Sequence, residues 1–208
     1  MTAAQPGTVA PDPISPIVPP DRPGFADPVA GAQATFRAVL DAMARPGRIH
    51  SAGSGLEPPA PLAPATAALL LTLADPDTPL WLDPALAPAR GWIVFHCGAP
   101  LVADPGAATF VVTTALPPFD RLAAGSDEAP EAGASVILQL AALGTGPRVR
   151  LSGPGLAGPA AFAATGLGAG FVAAWAANRA LFPRGIDLLL CAGSALAALP
   201  RSVTVEAL

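Results

Sequence analysis

From Leu151 to Asn178 the chain carries no charged side chain, and no other feature restricts its fold so sharply. A stretch of that length either spans a bilayer, which takes roughly 20 apolar residues, or is packed inside a protein. Its own residues decide between the two. Pro154, Pro159 and several glycines interrupt it, and alanine fills it rather than leucine or isoleucine. Proline breaks a spanning helix, and so small a side chain gains little on entering lipid. The run is therefore expected to be a tightly packed interior segment, with no membrane as partner.

The run begins inside Pro147–Gly158, PRVRLSGPGLAG. Arg148, Val149, Arg150 and Leu151 alternate polar and apolar, the mark of a half-buried strand. Ser152 and the glycines at 153, 155 and 158 then form a turn. Arginines at i and i+2 share one face of a strand, so Arg148, Arg150, Ser152, Gly153 and Gly155 are the candidate ligand-binding residues, suited to an anion. Gly153–Gly158 also matches G-x-G-x-x-G. A dinucleotide site needs a helix opening at those glycines and an acid ending the next strand. Here prolines interrupt the motif and Asp187 falls at a strand's beginning, so the dinucleotide reading is set aside. A phosphate held by backbone N–H groups with arginine help remains open, and so does an ordinary surface strand.

At 208 residues with 52% apolar content, the chain suits a single domain with a substantial core. That domain is expected over 26–208, behind a proline-rich, disordered tail at 1–25. A formal charge of −4 provides no broad basic surface for nucleic acid. All 11 cations are arginines. Without lysine the chain can neither form a Schiff base with pyridoxal phosphate nor supply a P-loop lysine, and no cofactor is expected. Cys97, Cys191, His50 and His96 are too scattered for a disulfide framework or a zinc site, so no metal is expected. The N-terminus lacks a basic segment followed by an apolar one, making the cytoplasm the expected location.

Asp27-Pro28 reads as an N-cap and first helical residue, followed by an apolar stripe of Val29, Phe36, Val39, Leu40 and Met43 that Arg45-Pro46-Gly47 ends. Arg48-Ile49-His50 starts a short strand, Pro64–Ala74 is a buried helix and Leu80–Leu82 a strand. Asp75 and Asp77 lie in a proline-flanked turn, where capping is the usual work of a carboxylate. Trp92–Cys97 reads as a buried strand; its neighbours His96 and Cys97 would point to opposite faces and could not pair as base and nucleophile. A hydrolase using His96 is the weaker alternative that this leaves. Thr109–Thr113 is a strand, and Leu116–Gly133 a long acidic surface excursion able to face a partner. Ser135–Leu140 and Arg148–Leu151 are expected to pair as an antiparallel hairpin through Gly144–Pro147. Gly168–Ala180 is a helix, Ile186–Cys191 an apolar strand and Ser202–Glu206 a last strand. The class is α/β, a mixed sheet with flanking helices.

Taken together, FRAVLDAMARPG, LLLTLADPDTPLWL, FHCGAPLV, PEAGASVILQLAAL, VRLSGPGL, FPRGIDLLL and LPRSVTVE, in order from Phe36 to Glu206, resemble the H-subunit (PhnH) family of the bacterial carbon–phosphorus lyase core complex. The tail lies outside the resemblance, and Arg184 stands where that family usually has leucine. The resemblance implies a fold similar to pyridoxal-phosphate-dependent transferases, without the cofactor. It implies an accessory, structural or co-catalytic subunit acting with G, I and L subunits to form alpha-D-ribose 1-methylphosphonate 5-triphosphate from ATP and methylphosphonate, for later cleavage by J. The implied partners are G, I and J, transiently K and L, with a homodimer when isolated. It carries over no catalytic residues. The alternative is a stand-alone nucleotide- or phosphonate-binding protein.

Overall fold

In a computed structural model, residues 22–208 are described; the expectation for the tail lies outside them up to residue 21. The elements in chain order are α1 (Pro28–Ala44), β1 (His50–Ser51), α2 (Pro64–Leu73), β2 (Leu80–Leu82), α3 (Arg90–Cys97), β3 (Phe110–Thr113), β4 (Ser135–Gln139), β5 (Ala142–Ser152), β6 (Ala160–Thr165), α4 (Phe171–Arg179), β7 (Asp187–Ala192), β8 (Ala195–Leu199) and β9 (Thr204–Ala207). This is the α/β class expected.

A six-stranded sheet runs β1-β8-β7-β4-β3-β2. Its strands β2, β3, β4 and β7 are parallel, while β8 and β1 add antiparallel pairings at one end. Near-continuous apolar runs such as Val136-Ile137-Leu138 and Leu188-Leu189-Leu190 suit strands covered on both faces. Alternate side chains divide between two cores. Val112, Ile137 and Leu189 pack with α1, α2 and α3, whereas Val111, Val136, Leu138, Leu188 and Leu190 pack with α4 and a second sheet. That second sheet, β6-β5-β9, is antiparallel. The layers are helices, large sheet, then small sheet with α4.

The uncharged run becomes the end of β5, all of β6 and most of α4, where Leu151, Phe162, Phe171 and Trp175 fill the second core. Trp175 donates its indole N–H to the Val203 carbonyl at 2.9 Å, tying α4 to the approach to β9. Among the described residues no helix is long and apolar enough to cross a membrane.

Three expectations are corrected. Trp92–Cys97 lies in the helix α3, not a strand. A six-residue apolar run has no decisive period, and here Trp92, Ile93 and Cys97 turn inward while Phe95 is exposed. Gly98, at φ +65°, caps the helix in the left-handed conformation that glycine supplies most cheaply. The hairpin is also overturned. Strand β4 lies between β3 and β7, and β5 belongs to the other sheet; a hairpin edge would leave one face of Val136–Leu138 wet. The glycines at 144 and 146 instead lie within the long β5, where its register against β6 shifts between Leu143 and Arg148. Finally, the α1 stripe is divided. Thr35, Val39 and Ala42 face inward, while Val29, Phe36 and Leu40 are exposed.

Candidate functional site

Strand β5 places Val149 and Leu151 in the second core and leaves Arg148 and Arg150 exposed on the opposite face. Arg150 stands across from Ala161 on one side and Glu206 on the other. Past Ser152 the chain reverses through Gly153 (φ +127°) and Gly155 (φ +83°). The turn folds back against the end of α1 so closely that a Cβ on Gly155 would lie 2.2 Å from the Ala44 carbonyl oxygen. Only glycine permits both that approach and that φ.

The contact borders a half-open cavity of about 400 Å³. The α1–β1 connector, Arg45-Pro46-Gly47-Arg48, forms one wall; Gly155–Gly158 with Ala160 and Ala161 forms the other. The structure thus brings the glycine turn to arginines, but to Arg45 and Arg48. Neither Arg148 nor Arg150 lines this cavity. Arg148 borders an adjoining one of about 290 Å³ that shares Gly47 and Ala161 with the first. Sequence reasoning passed over Arg45 and Arg48 as a helix stop and a strand start. Two arginines flanking Pro-Gly were the available signal, but nothing local says which distant turn they meet.

Asp41 on α1 forms an ion pair with Arg45 and lies 3.5 Å from His50 Nε2. His96 is on α3, its Nε2 3.3 Å from the Arg22 carbonyl and its ring against Trp92 and Phe95. Cys97 next to it is buried, and burial pushes its thiol up to about 12; Cys191 is pushed to about 12 for the same reason, against a weaker hydrogen bond from Thr66. Neither thiol is a thiolate at neutral pH. Asp75 does the capping expected of it, accepting from the Asp77 N–H and the Thr78 hydroxyl. Among the described residues no three His, Cys, Asp or Glu side chains are grouped to hold a metal.

Two polar clusters escaped sequence reasoning. At the carboxyl ends of β2 and β3, the Asp83 carboxylate accepts from the N–H groups of Ala85 and Thr114 and the hydroxyls of Thr113 and Thr114, at 2.9–3.1 Å. Burial acts to raise its pKa, but these hydrogen bonds outweigh it and hold the carboxyl below its ordinary value. At the start of β7, Asp187 takes a forked contact from Arg201, with Nε at 3.1 Å and Nη2 at 2.6 Å from Oδ2, and also accepts the Arg201 backbone N–H. The acid that a dinucleotide site would have needed is thus a structural clamp. Arg201 also donates to the Pro130 carbonyl at 2.6 Å. Together with Leu122 packed in the second core, this makes the acidic 116–133 segment partly anchored rather than a free excursion. Arg184 pairs with the exposed Asp127 at 3.1 Å.

The profile of the family described as "Bacterial phosphonate metabolism protein (PhnH)" matches residues 23–206, nearly every residue described above. The chain belongs to the PhnH family. It is 43% identical over 187 residues to the alpha-D-ribose 1-methylphosphonate 5-triphosphate synthase subunit PhnH of Rhizobium meliloti (strain 1021), covering 88% of this chain and 94% of that one. It is also 32% identical over 177 residues to the protein described as "Putative C-P lyase subunit protein HtxG" of Stutzerimonas stutzeri, covering 84% and 85% of the two chains. Both matches run through the connector and the glycine turn by their extent alone, so the cavity lies in the shared region.

Proposed function

We propose that this chain is the H subunit of a carbon–phosphorus lyase core assembly in organic phosphonate catabolism. In this reading it works with G, I and L subunits to form alpha-D-ribose 1-methylphosphonate 5-triphosphate from ATP and methylphosphonate, in the cytoplasm. The observation that carries the proposal is the 43% identity to a named subunit of that synthase across almost the full length of both chains. The role is structural or co-catalytic, with neighbouring subunits completing the reaction centre. Supporting this, both thiols are buried and protonated, and His96 faces a backbone carbonyl. The exposed Val29, Phe36 and Leu40 of α1 suit a protein contact, with the I subunit or a second copy. The fold is proposed to be a cofactor-free relative of pyridoxal-phosphate-dependent transferases. The parallel run β2-β3-β4-β7 supports that kinship, and the chain has no lysine for an imine.

The test is co-expression with G and I subunits followed by size exclusion at micromolar concentration. Co-elution is expected; a chain that elutes alone overturns the reading. A second reading is anion capture on the outer face of β5 by Arg148, Arg150 and Ser152 with Gly153 and Gly155, favoured by the shared exposure of the two guanidinium groups. Loss of calorimetric binding in Arg150→Ala is its expected signature.

A further inference from the structure

We propose that the cavity between the α1–β1 connector and the Gly153–Gly158 turn binds the phosphate groups of a small polyanionic ligand, with Arg48 and Arg45 as its cationic wall. The overall charge is −4, yet this cavity and its neighbour are lined by three arginines and no carboxylate. Asp41, the acid paired with Arg45, is not among the lining residues. It holds Arg45 in place and leaves Arg48 and Arg148, which among the described residues form no ion pair. A guanidinium fork matches two oxygens of a phosphate group at once.

The opposite wall supplies donors of another kind. The Leu156 N–H is used internally, on the Gly153 carbonyl at 3.3 Å. Among the described residues, those of Gly155, Ala157 and Gly158 have no backbone acceptor. The adjacent free N–H groups of Ala157 and Gly158 are the kind of backbone donors that anions take in such turns. A Cβ on Gly158 would meet nothing within 4 Å, so that part of the turn is open to an incoming group. The close packing of Gly155 on Ala44 fixes the turn before a ligand arrives, which lowers the ordering cost of binding. A cavity of about 400 Å³ is within the size range of small-molecule sites. The adjoining one adds room toward Arg148 for further phosphates or the group they are attached to.

This inference does not depend on assembly with other subunits, because it concerns the isolated chain. Isothermal calorimetry at low ionic strength, with inorganic tripolyphosphate and ATP run in parallel on the full chain, is the test. Both are expected to bind, more weakly as salt rises. Arg48→Ala is expected to weaken binding of both by about tenfold or more, the loss of one charge-assisted contact, with Arg48→Gln behaving alike. Arg90→Ala, at an exposed arginine of α3 that lines neither cavity, is expected to stay within about twofold of the parent chain. Circular dichroism confirms that each variant is folded; Arg48 is exposed and its replacement leaves the core intact. Absence of heat with both probes overturns the proposal. So does undiminished binding in the Arg48 variants, including ATP binding that survives them, which would place recognition on the nucleoside elsewhere. Greater loss in Arg150→Ala than in Arg48→Ala also overturns it, in favour of the outer face of β5.

Discussion

Replacing Arg201 by alanine tests how the acidic segment and the second core are held together. The two partners are 13% and 15% exposed, so the ion pair is largely removed from water. Removing one member of such a pair leaves its charge unmatched and costs about 3–5 kcal/mol. Here Asp187 keeps the Arg201 backbone N–H at 2.7 Å, which favours the lower end, while loss of the Pro130 contact adds an unsatisfied carbonyl. A cost of about 3 kcal/mol lowers the Tm of a chain of this size by roughly 6–12 °C. Arg184→Ala is the matched control. Its pair with Asp127 is 41% and 77% exposed, and exposed pairs contribute about 0–1 kcal/mol. Thermal unfolding of both variants, followed by far-ultraviolet circular dichroism, compares the effects directly. An Arg201→Ala Tm within about 2 °C of the parent would refute the reasoning, as would an Arg184→Ala effect of equal size.

Glycine at 155 is required where glycine at 158 is not. Gly155→Ala meets a backbone oxygen at 2.2 Å in a left-handed conformation and is expected to cost about 2 kcal/mol or more in urea denaturation, against under about 0.5 for Gly158→Ala. Both cysteines are expected to resist iodoacetamide at pH 7.5 while the chain is folded and to react once it is denatured, because burial raises each thiol to about 12; mass spectrometry after short exposure counts the adducts. Asp83, held below its ordinary 3.8, contributes stability that is present above that value and is lost as pH falls through its lower folded-state value. Asp83→Asn should therefore flatten the loss of stability on acidification below about pH 4, measured by denaturation at a series of pH values.

Local chemistry made much of the fold legible. Asp27 accepts the N–H groups of Val29 and Ala30 at 3.0 Å, as its place before Pro28 implied. Helices α2 and α4 and strands β2, β3, β7 and β9 lie close to where apolar runs and turn residues put them. Failures arose where distant partners decide. The sequence WIVFHC fits a strand or a helix equally until Gly98 and the packing of Trp92 and Ile93 select the helix. Strand β8, Ala195–Leu199, has little β preference of its own; pairing with β7 and β1 makes it a strand. The candidate site divides the same way. The glycine turn and its anion-binding chemistry were readable, but which arginines it meets was not. That depends on where the end of α1 and its connector meet the turn between β5 and β6, a contact between residues far apart in the chain. The ordered set of family segments carried the functional reading, since no single motif could.

Membership of a working synthase is tested most directly by omission. Purified G, I and L subunits with ATP and methylphosphonate, with and without this chain, can be followed by phosphorus NMR for a new phosphonate ester resonance and by chromatography for released adenine. Product and adenine are expected only when the chain is present. Equal rates in its absence would contradict the account.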